Sequence, residues 1–456
     1  MAPRLSTGSL LAFSSPGVAA TLMIAPIFGV LPSYYALHTG VTLAQIGAGF
    51  LIARVIDALL DPLVGILSDR TRSALGARLP WMIAGAALAL PALYFLFLPA
   101  SSADARYFLV WSFLGMLAWS MLTIPHGAWA AELSDNYDER SRIFGIRNVL
   151  AQIGGFSFFL LPPLLQPLTG TTEVNESTMR ALVIVLWVLL PSTLVWAALK
   201  APARTARADR LLLPPSSLAS IFRSMVRNRP FLSFVSITVI GGVATGMTTA
   251  LMFLYVQDYM RLGEYFYLVG VLGALPAVLA TPVWLWASRR YNKHTAWAAG
   301  ALLGSGISLL LLLLPPGQSS LIPMLLIITC AGAMHGVIVA LPSSILADIA
   351  DYEAWKQNTN ATGNYFSVLV LLSKVTAAVG SSLALFASDL LGYVPHASAE
   401  ANRTALLVPL VVIPALLGLA SVFLIYRFPL DRRRQQVISR RLLQRAERLA
   451  RVGTTP

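Results

Sequence analysis

Arg54, Asp57 and Asp61 place a guanidinium and two carboxylates inside a stretch otherwise apolar enough to cross a bilayer. On a helix, residues three and four apart share a face, so the two acids stack about 6 Å from each other with Arg54 alongside. A charge near the centre of a bilayer costs ~2.5 kcal/mol or more, and residues that carry one there face a bundle interior or a wet cavity. Two carboxylates so close do not both ionise in a low-dielectric site unless a cation or a proton accompanies them. The chemistry on offer is reversible binding of a small cation at Asp57 and Asp61, with carboxylate oxygens as hard ligands for a metal ion such as Na⁺ or as a seat for H⁺. The competing reading is a permanent structural ion pair with Arg54.

The elements that must position these groups are membrane helices. The chain has 456 residues, 57% of them hydrophobic and only 12% charged, with a mean hydropathy of +0.71. A soluble domain carries about 25% charged residues. Apolar runs long enough to cross a ~30 Å hydrocarbon core recur about twelve times. They fall near 10–37, 42–68, 80–99, 106–133, 141–168 and 178–199, then 231–260, 264–289, 294–315, 319–349, 362–391 and 403–426. The first run lacks the charged start and small-residue cleavage site of a removed leader and is expected to be a retained span. Cys330 is the only cysteine, so no disulfide forms within the chain and no cysteine-based metal centre is expected.

A net charge of +13 would point to nucleic acid in a soluble protein, but the basic residues crowd into alternate loops. Arg70, Arg72 and Arg78 occupy one, Lys200 to Arg229 another, Arg289 to Lys293 a third, and the tail from Arg432 onward a fourth. No nucleic-acid partner is implied. By the positive-inside rule both termini and the long central loop are cytoplasmic, which requires an even number of spans. The expected protein is a multi-pass protein of the plasma (inner) membrane. The tail has apolar residues at helical spacing between arginines over 437–449 and reads as an amphipathic helix on anionic lipid headgroups.

The hydrophilic stretch 200–229 divides the chain into bundles at 1–199 and 230–427, followed by the basic tail at 428–456, and the two bundles repeat. Asp61-Pro62 to Asp69-Arg70 in the second span matches Thr281-Pro282 to Arg289-Arg290 in the eighth, with the same spacing from proline to terminal arginine. Ile124-Pro125 to Glu132 in the fourth parallels Leu341-Pro342 to Asp348 in the tenth. Parallel six-span repeats are the plan of the major facilitator superfamily, with solute held near mid-depth between rocking halves. The fold class expected is thus an all-α membrane protein of twelve helices in two pseudo-symmetric six-helix bundles. The eighth span keeps the scaffold but has Ala277 and Thr281 where the second has Asp57 and Asp61, so the acids are not needed to build this helix pair.

Three runs carry a more specific resemblance: Arg54 to Arg72, Ala131 to Arg147, and Leu346 to Tyr352 with Thr362 to Phe366 and Lys374. Over about residues 10 to 426 the chain resembles the glycoside–pentoside–hexuronide:cation symporters, the family of the melibiose permease, to which sodium-dependent lysophospholipid symporters are related. The resemblance implies a secondary transporter, not an enzyme, working as a monomer on a small solute such as a sugar or glycoside. It needs no cofactor beyond the coupling cation.

Carried over residue by residue, the resemblance makes Asp57 and Asp61 the cation-binding pair. Thr123 stands where the permease has an aspartate that assists cation binding; its hydroxyl keeps oxygen lone pairs but removes a charge, which fits H⁺ coupling or weaker cation dependence. Lys374, about 12 residues into the eleventh span, matches the family's lysine and needs a partner at that depth, Asp57 or Asp61. Such a partnership competes with the cation and, with Arg54, forms the coupling group. Arg147 matches an arginine near the permease's sugar site, or it bridges Glu132 and holds the cytoplasmic side shut. His126 and Trp129 on the fourth span, with Tyr365 near the start of the eleventh, can supply the polar groups and aromatic platform of a sugar site. The permease's sugar-holding tryptophan falls at Gly127, and the first span lacks its sugar-binding acid. Both gaps argue against a melibiose-like galactoside and leave other glycosides, or an amphipathic solute such as a lysolipid.

Gly65, Asp69, Arg70 and Arg78 belong to the superfamily's loop between the second and third spans. Gly65 is expected to allow close helix approach, and Asp69, opposed by a helix C-terminus, needs a cationic neighbour. They read as a gate latch, with Glu132, Asp348 and Asp351 latching at other inner ends. A different class also uses paired aspartates: membrane prenyltransferases hold Mg²⁺ and a diphosphate with them. Against it, the two acid clusters are not equivalent in the repeat and the first lies deep in a span.

Overall fold

The computed structural model describes residues 5–134, 137–201, 225–357 and 362–430, with isolated positions of the tail at 434, 435, 437, 438, 440, 441 and 444. Most of the central loop, 202–224, and most of the tail helix proposed for 437–449 lie outside the described residues.

Eleven described helices are long and apolar enough to cross a membrane. The twelfth long helix is the second span, Leu43–Arg70, 28 residues that include Arg54, Asp57, Asp61, Asp69 and Arg70. The first span, Thr7–Gly29, ends at Val30, whose φ of −133° interrupts the helix before it resumes over Leu31–His38. The third to sixth are Leu79–Phe97, Ala105–Glu132, Tyr137–Thr169 and Glu176–Lys200. The second half comprises Arg229–Tyr259, Gly263–Arg290, Lys293–Leu313, Leu321–Gln357, Thr362–Leu390 and Ala399–Tyr426.

Polar residues start these helices where the sequence turns. Thr42 and Gln45 form a reciprocal capping box on the second span, while Asp104, Asn175, Asn228, Asn292 and Ser398 accept from the first-turn N–H groups of later spans. The caps satisfy first-turn donors that have no partner within their own helix.

Each half is knitted by small residues. Gly154 of the fifth span lies on the Val18 carbonyl of the first, and Thr21 donates to the Ala151 carbonyl at 2.6 Å. The counterpart in the second half sets Gly246 of the seventh span on the Ala377 carbonyl of the eleventh, with Ser381 donating to Gly246 at 3.0 Å. Between halves, Gly47 of the second span meets the Ser382 carbonyl of the eleventh, and Gly270 of the eighth lies on the Phe159 ring of the fifth.

These inter-half contacts lie toward the side away from the termini. Four hydrogen bonds join the halves among the described residues: Ser33 to Ala250 at 2.8 Å, Thr172 to Glu264 at 2.9 Å, His396 to Leu37 at 3.0 Å, and Lys374 to Asp61 at 2.6 Å. The first three are on the far side; the last is at mid-depth. The apolar core agrees. One buried cluster runs through the first half and continues into the far side of the second, through Met247, Phe253, Tyr255 and Leu406. The termini side of the second half packs separately around Phe231, Trp284, Trp297, Leu346 and Tyr365. Among the described residues, the hydrogen bonds and the buried core that join the halves thus lie on the far side and at mid-depth.

The closure depends on side-chain-free contact at Gly270, where a Cβ would lie 1.9 Å from the Phe159 ring. Gly270→Trp is expected to wedge the far side open and lengthen the distance between spin labels attached at Ser102 and Gln318. An unchanged distance would mean that this contact does not set the closure.

Candidate functional site

The second span brings Arg54, Asp57 and Asp61 to mid-depth, but the structure separates their roles. Asp57 is fully buried: Arg54 Nη1 donates to its Oδ2 at 3.0 Å and the Ser120 hydroxyl donates to its Oδ1 at 2.9 Å. Arg54, itself 5% exposed, lies under the Phe28 ring of the first span at 4.7 Å. Asp57 is thus neutralised within its own helix and half, by a guanidinium that an aromatic face and a carboxylate hold in place.

Asp61 takes its counter-ion from the other half. Lys374 Nζ stands 2.6 Å from Asp61 Oδ2, and both side chains keep just under a fifth of their surface exposed. The ammonium also sits 4.9 Å from the Trp119 ring. Asp61 Oδ1 and Trp119 Nε1 are buried without a hydrogen-bond partner. Of the two acids, Asp61 has the unpartnered oxygen and the partly exposed side chain, so it is the one at which a proton or metal ion could compete with Lys374. Among the described residues no group of three or more His, Cys, Asp or Glu is placed to hold a metal ion, so a hard cation here would rely on these carboxylates and neutral oxygens.

Thr123 does not join the acids. Its hydroxyl donates to the Trp119 carbonyl one turn back, at 2.9 Å, and makes no hydrogen bond to Asp57 or Asp61 in this conformation. Sequence reasoning missed Ser120, Trp119 and Phe28. A signal existed for the second: Trp119, Thr123 and His126 recur at i, i+4 and i+7 on one face of the fourth span.

One turn further, His126 Nε2 meets the Phe13 carbonyl at 2.8 Å, and Arg147 Nε reaches His126 Nδ1 at 3.4 Å. Phe13 packs on His126 at 4.7 Å and edge-on to Trp129 at 5.2 Å. Trp129 is 8% exposed with its indole N–H unpartnered. Tyr365 is elsewhere. It lies in the core on the termini side of the second half, where its hydroxyl accepts from Asn228 at 3.0 Å and its ring meets Phe231 edge-on. Asn228 caps the seventh span and also donates to Glu353 at 2.9 Å, so Tyr365 belongs to a helix-start network and not to the His126 and Trp129 group.

The expected latches form within halves. Arg78 donates to Ser68 at 2.7 Å, to Asp69, and to Glu132 at 2.6 Å. Lys293 bridges Asp348 at 2.5 Å in the corresponding place of the second half. Asp351 accepts from Gln435 at 3.2 Å, and Arg70 is exposed. These contacts brace the third span on the fourth and the ninth on the tenth, each within its own half. A Cβ at Gly65 would come no nearer than 3.9 Å to Ile124, so close approach there does not require glycine. The two acid clusters have separate partners: Asp57 and Asp61 meet Arg54 and Lys374, while Asp348 and Asp351 meet Lys293 and Gln435.

The sequence pattern of the MFS/sugar transport protein family matches residues 12–432. The chain belongs to that family. The isoprimeverose transporter of Lactiplantibacillus pentosus is 25% identical over 430 residues, covering 91% of this chain and 87% of its own. The putative glycoside/cation symporter YagG of Escherichia coli is 24% identical over 433 residues, covering 91% and 90%. The crystal structure of a bacterial homologue of the human lysosomal transporter Spinster, inward-facing and unoccupied, superposes with a TM-score of 0.67 at 15% identity, covering 92% and 97%, which establishes the shared major facilitator fold. As a family member the chain is an integral membrane transporter protein with two six-helix halves.

If Lys374 and Asp61 neutralise each other, Asp61→Asn and Lys374→Gln should each destabilise the detergent-solubilised protein more than the double variant does. The double-mutant cycle should return a coupling of roughly 1–3 kcal/mol. Additive losses in thermal unfolding would show that the two charges do not depend on each other.

Proposed function

We propose that the protein is a cation-coupled symporter that carries a sugar or glycoside by alternating access. The observation that carries the reading is the Lys374–Asp61 pair: the one charged contact described between the halves, set at mid-depth with one acid oxygen open. A cation, H⁺ or Na⁺, that takes Asp61 removes the tie between the halves. Displacement of Lys374 therefore links cation binding to the movement of one half against the other.

The excess of Lys and Arg in the loops on the side of the termini makes that side cytoplasmic in an inner-membrane protein. The conformation, closed on the far side, is then the inward-open one. Support for a sugar as solute comes from relatives whose names specify isoprimeverose and glycosides. On the chain itself, Trp129 and His126 near Arg147 supply an aromatic surface and donors in the manner of sugar sites.

The test is uptake by the purified chain in proteoliposomes, with a panel of labelled glycosides and lysolipids under imposed Na⁺ or H⁺ gradients. Wild type should accumulate a glycoside under one of the two gradients. Asp61→Asn should lose gradient-driven accumulation while it still exchanges solute across the membrane. Unchanged gradient dependence in Asp61→Asn would reject the coupling assignment, and saturable uptake of lysolipids alone would reject the sugar.

A further inference from the structure

Among the described residues two that are not glycine have left-handed backbone, Arg261 at φ 58° and His396 at φ 60°. They lie in different loops on the far side, and both bring their side chains to one buried acid. Asp258, at the end of the seventh span, is 3% exposed. Its Oδ2 accepts from the Tyr393 hydroxyl at 2.9 Å and from Asn402 Nδ2 at 3.4 Å. Burial, and then the charge of Asp258, push the Tyr393 phenol up, so it stays a donor. Asp258 Oδ1 faces His396 Nδ1 at 3.8 Å and Arg261 Nη1 at 3.9 Å, within reach of charge but beyond a hydrogen bond.

The loop that carries His396 is pinned on both sides. Asn402 binds Val394 through its amide nitrogen at 2.7 Å and its amide oxygen at 3.0 Å, and Arg261 Nη2 donates to the Ala397 carbonyl at 2.9 Å. Between these anchors the His396 side chain is 64% exposed, open to protons from the far side. Its Nε2 meets the Leu37 carbonyl of the first half at 3.0 Å. The ring thus stands between two acceptors, a carboxylate of its own half and a carbonyl of the other. A neutral imidazole has one N–H to give, an imidazolium two. With the ring neutral, either Leu37 or Asp258 faces a bare lone pair. With it charged both are served, and the bond across the halves becomes charge-assisted.

We propose that His396 is a proton site that clasps the two halves together, so that acid on the far side stabilises the conformation in which they meet there. Leu37 leaves His396 when that side opens, so the gain from charging the ring at this bond is present only while the halves are joined. The joined share therefore rises as pH falls through the histidine range and declines as pH rises through it. The charges around the site are mixed. Arg261, its side chain half exposed and screened by solvent, opposes the proton, and Asp258 offsets it. Glu400 and Arg403, both within electrostatic reach of Tyr259, are of opposite sign. From the first half the facing titratable groups are His38, exposed and stacked on Tyr34 at 4.1 Å, and Glu176, within electrostatic reach of that tyrosine. The clasp requires neither a particular solute nor a particular coupling ion.

The test uses the full-length protein in lipid nanodiscs, with Cys330→Ser and His38→Gln as background and spin labels at Ser102→Cys and Gln318→Cys. Label distances are measured at about pH 8 and about pH 5, the limits of histidine titration. On acidification the ratio of short to long distances should rise about threefold more in this parent than in His396→Gln, which keeps an amide N–H for Leu37 but cannot charge. Asp61 and Lys374 are common to both proteins, so any response they add cancels in the comparison. Asp258→Asn, which takes the charge from the second acceptor, should respond less than the parent. Equal responses in parent and His396→Gln, a smaller one in the parent, or a single unchanged distance in both overturns the clasp. An undiminished response in Asp258→Asn overturns the two-acceptor geometry on which it rests. If that buried variant does not fold, parent against His396→Gln decides alone.

Discussion

An ammonium and a carboxylate taken into oil are each prohibitive alone and tolerable together, and in this protein they arrive from opposite halves. Asp61 comes down the second span and Lys374 up the eleventh, to meet at 2.6 Å. The other hydrogen bonds described between the halves, at Ser33, Thr172 and His396, are contacts to backbone carbonyls on the far side. As that side opens each can be exchanged for a hydrogen bond to water, at a small net cost. The central pair cannot be broken so cheaply, because separation leaves two charges uncompensated in a low-dielectric region. Trp119 softens one side of that cost, since its ring already faces the ammonium at 4.9 Å. Nothing comparable waits for Asp61, whose second oxygen is already unpartnered. The acid is the end of the pair that needs a new guest.

The internal repeat shows why only one half can host such a guest. In the eighth span, the position equivalent to Asp57 is Ala277, which is 5% exposed and whose carbonyl would lie 2.5 Å from a Cβ added at Gly336 of the tenth span. The position equivalent to Asp61 is Thr281, whose hydroxyl donates to the Ala277 carbonyl at 3.0 Å and so turns back on its own helix. The eighth and tenth spans have used this site for close packing. The second and fourth, where a Cβ at Gly65 would meet nothing nearer than 3.9 Å, have kept it for charge. The second half contributes its own charge one helix away, at Lys374, which is why the ionic contact runs between the halves and not inside either.

Hydropathy and spacing made the spans legible, because both are properties of a single helix. The acids, Arg54 and Lys374 were legible as groups that mid-depth burial would force into company. Which acid took which base was not, since Arg54 three residues before Asp57 and Lys374 more than 300 residues later satisfy the same chemical need. The break at Val30 left no sign beyond a proline at Pro26 and another at Pro32, residues that other spans carry without interruption. Tyr365 illustrates the limit of composition: an aromatic hydroxyl in a polar-rich helix start reads equally well as a solute platform or as a partner for a cap, and only the position of Asn228 decides. The latch residues were legible as charges in need of partners. Their partners within the same half depend on the conformation, which no local pattern encodes.

A guest can shift an equilibrium between two conformations only by binding one better than the other. In the conformation open to the termini side, Lys374 occupies Asp61, so a cation must compete with a tethered ammonium whose effective concentration is high. Any conformation in which the halves have turned enough to part the two residues presents Asp61 without that competitor. On the symporter reading proposed above, the affinity difference that coupling requires comes from parting Lys374 and Asp61. Arg147 stands apart from this balance, anchored through His126 to the first span within one half. On the symporter reading proposed above, a solute seated there meets a group anchored within one half, while the cation meets a group whose partner lies in the other, so the two guests are read by different side chains.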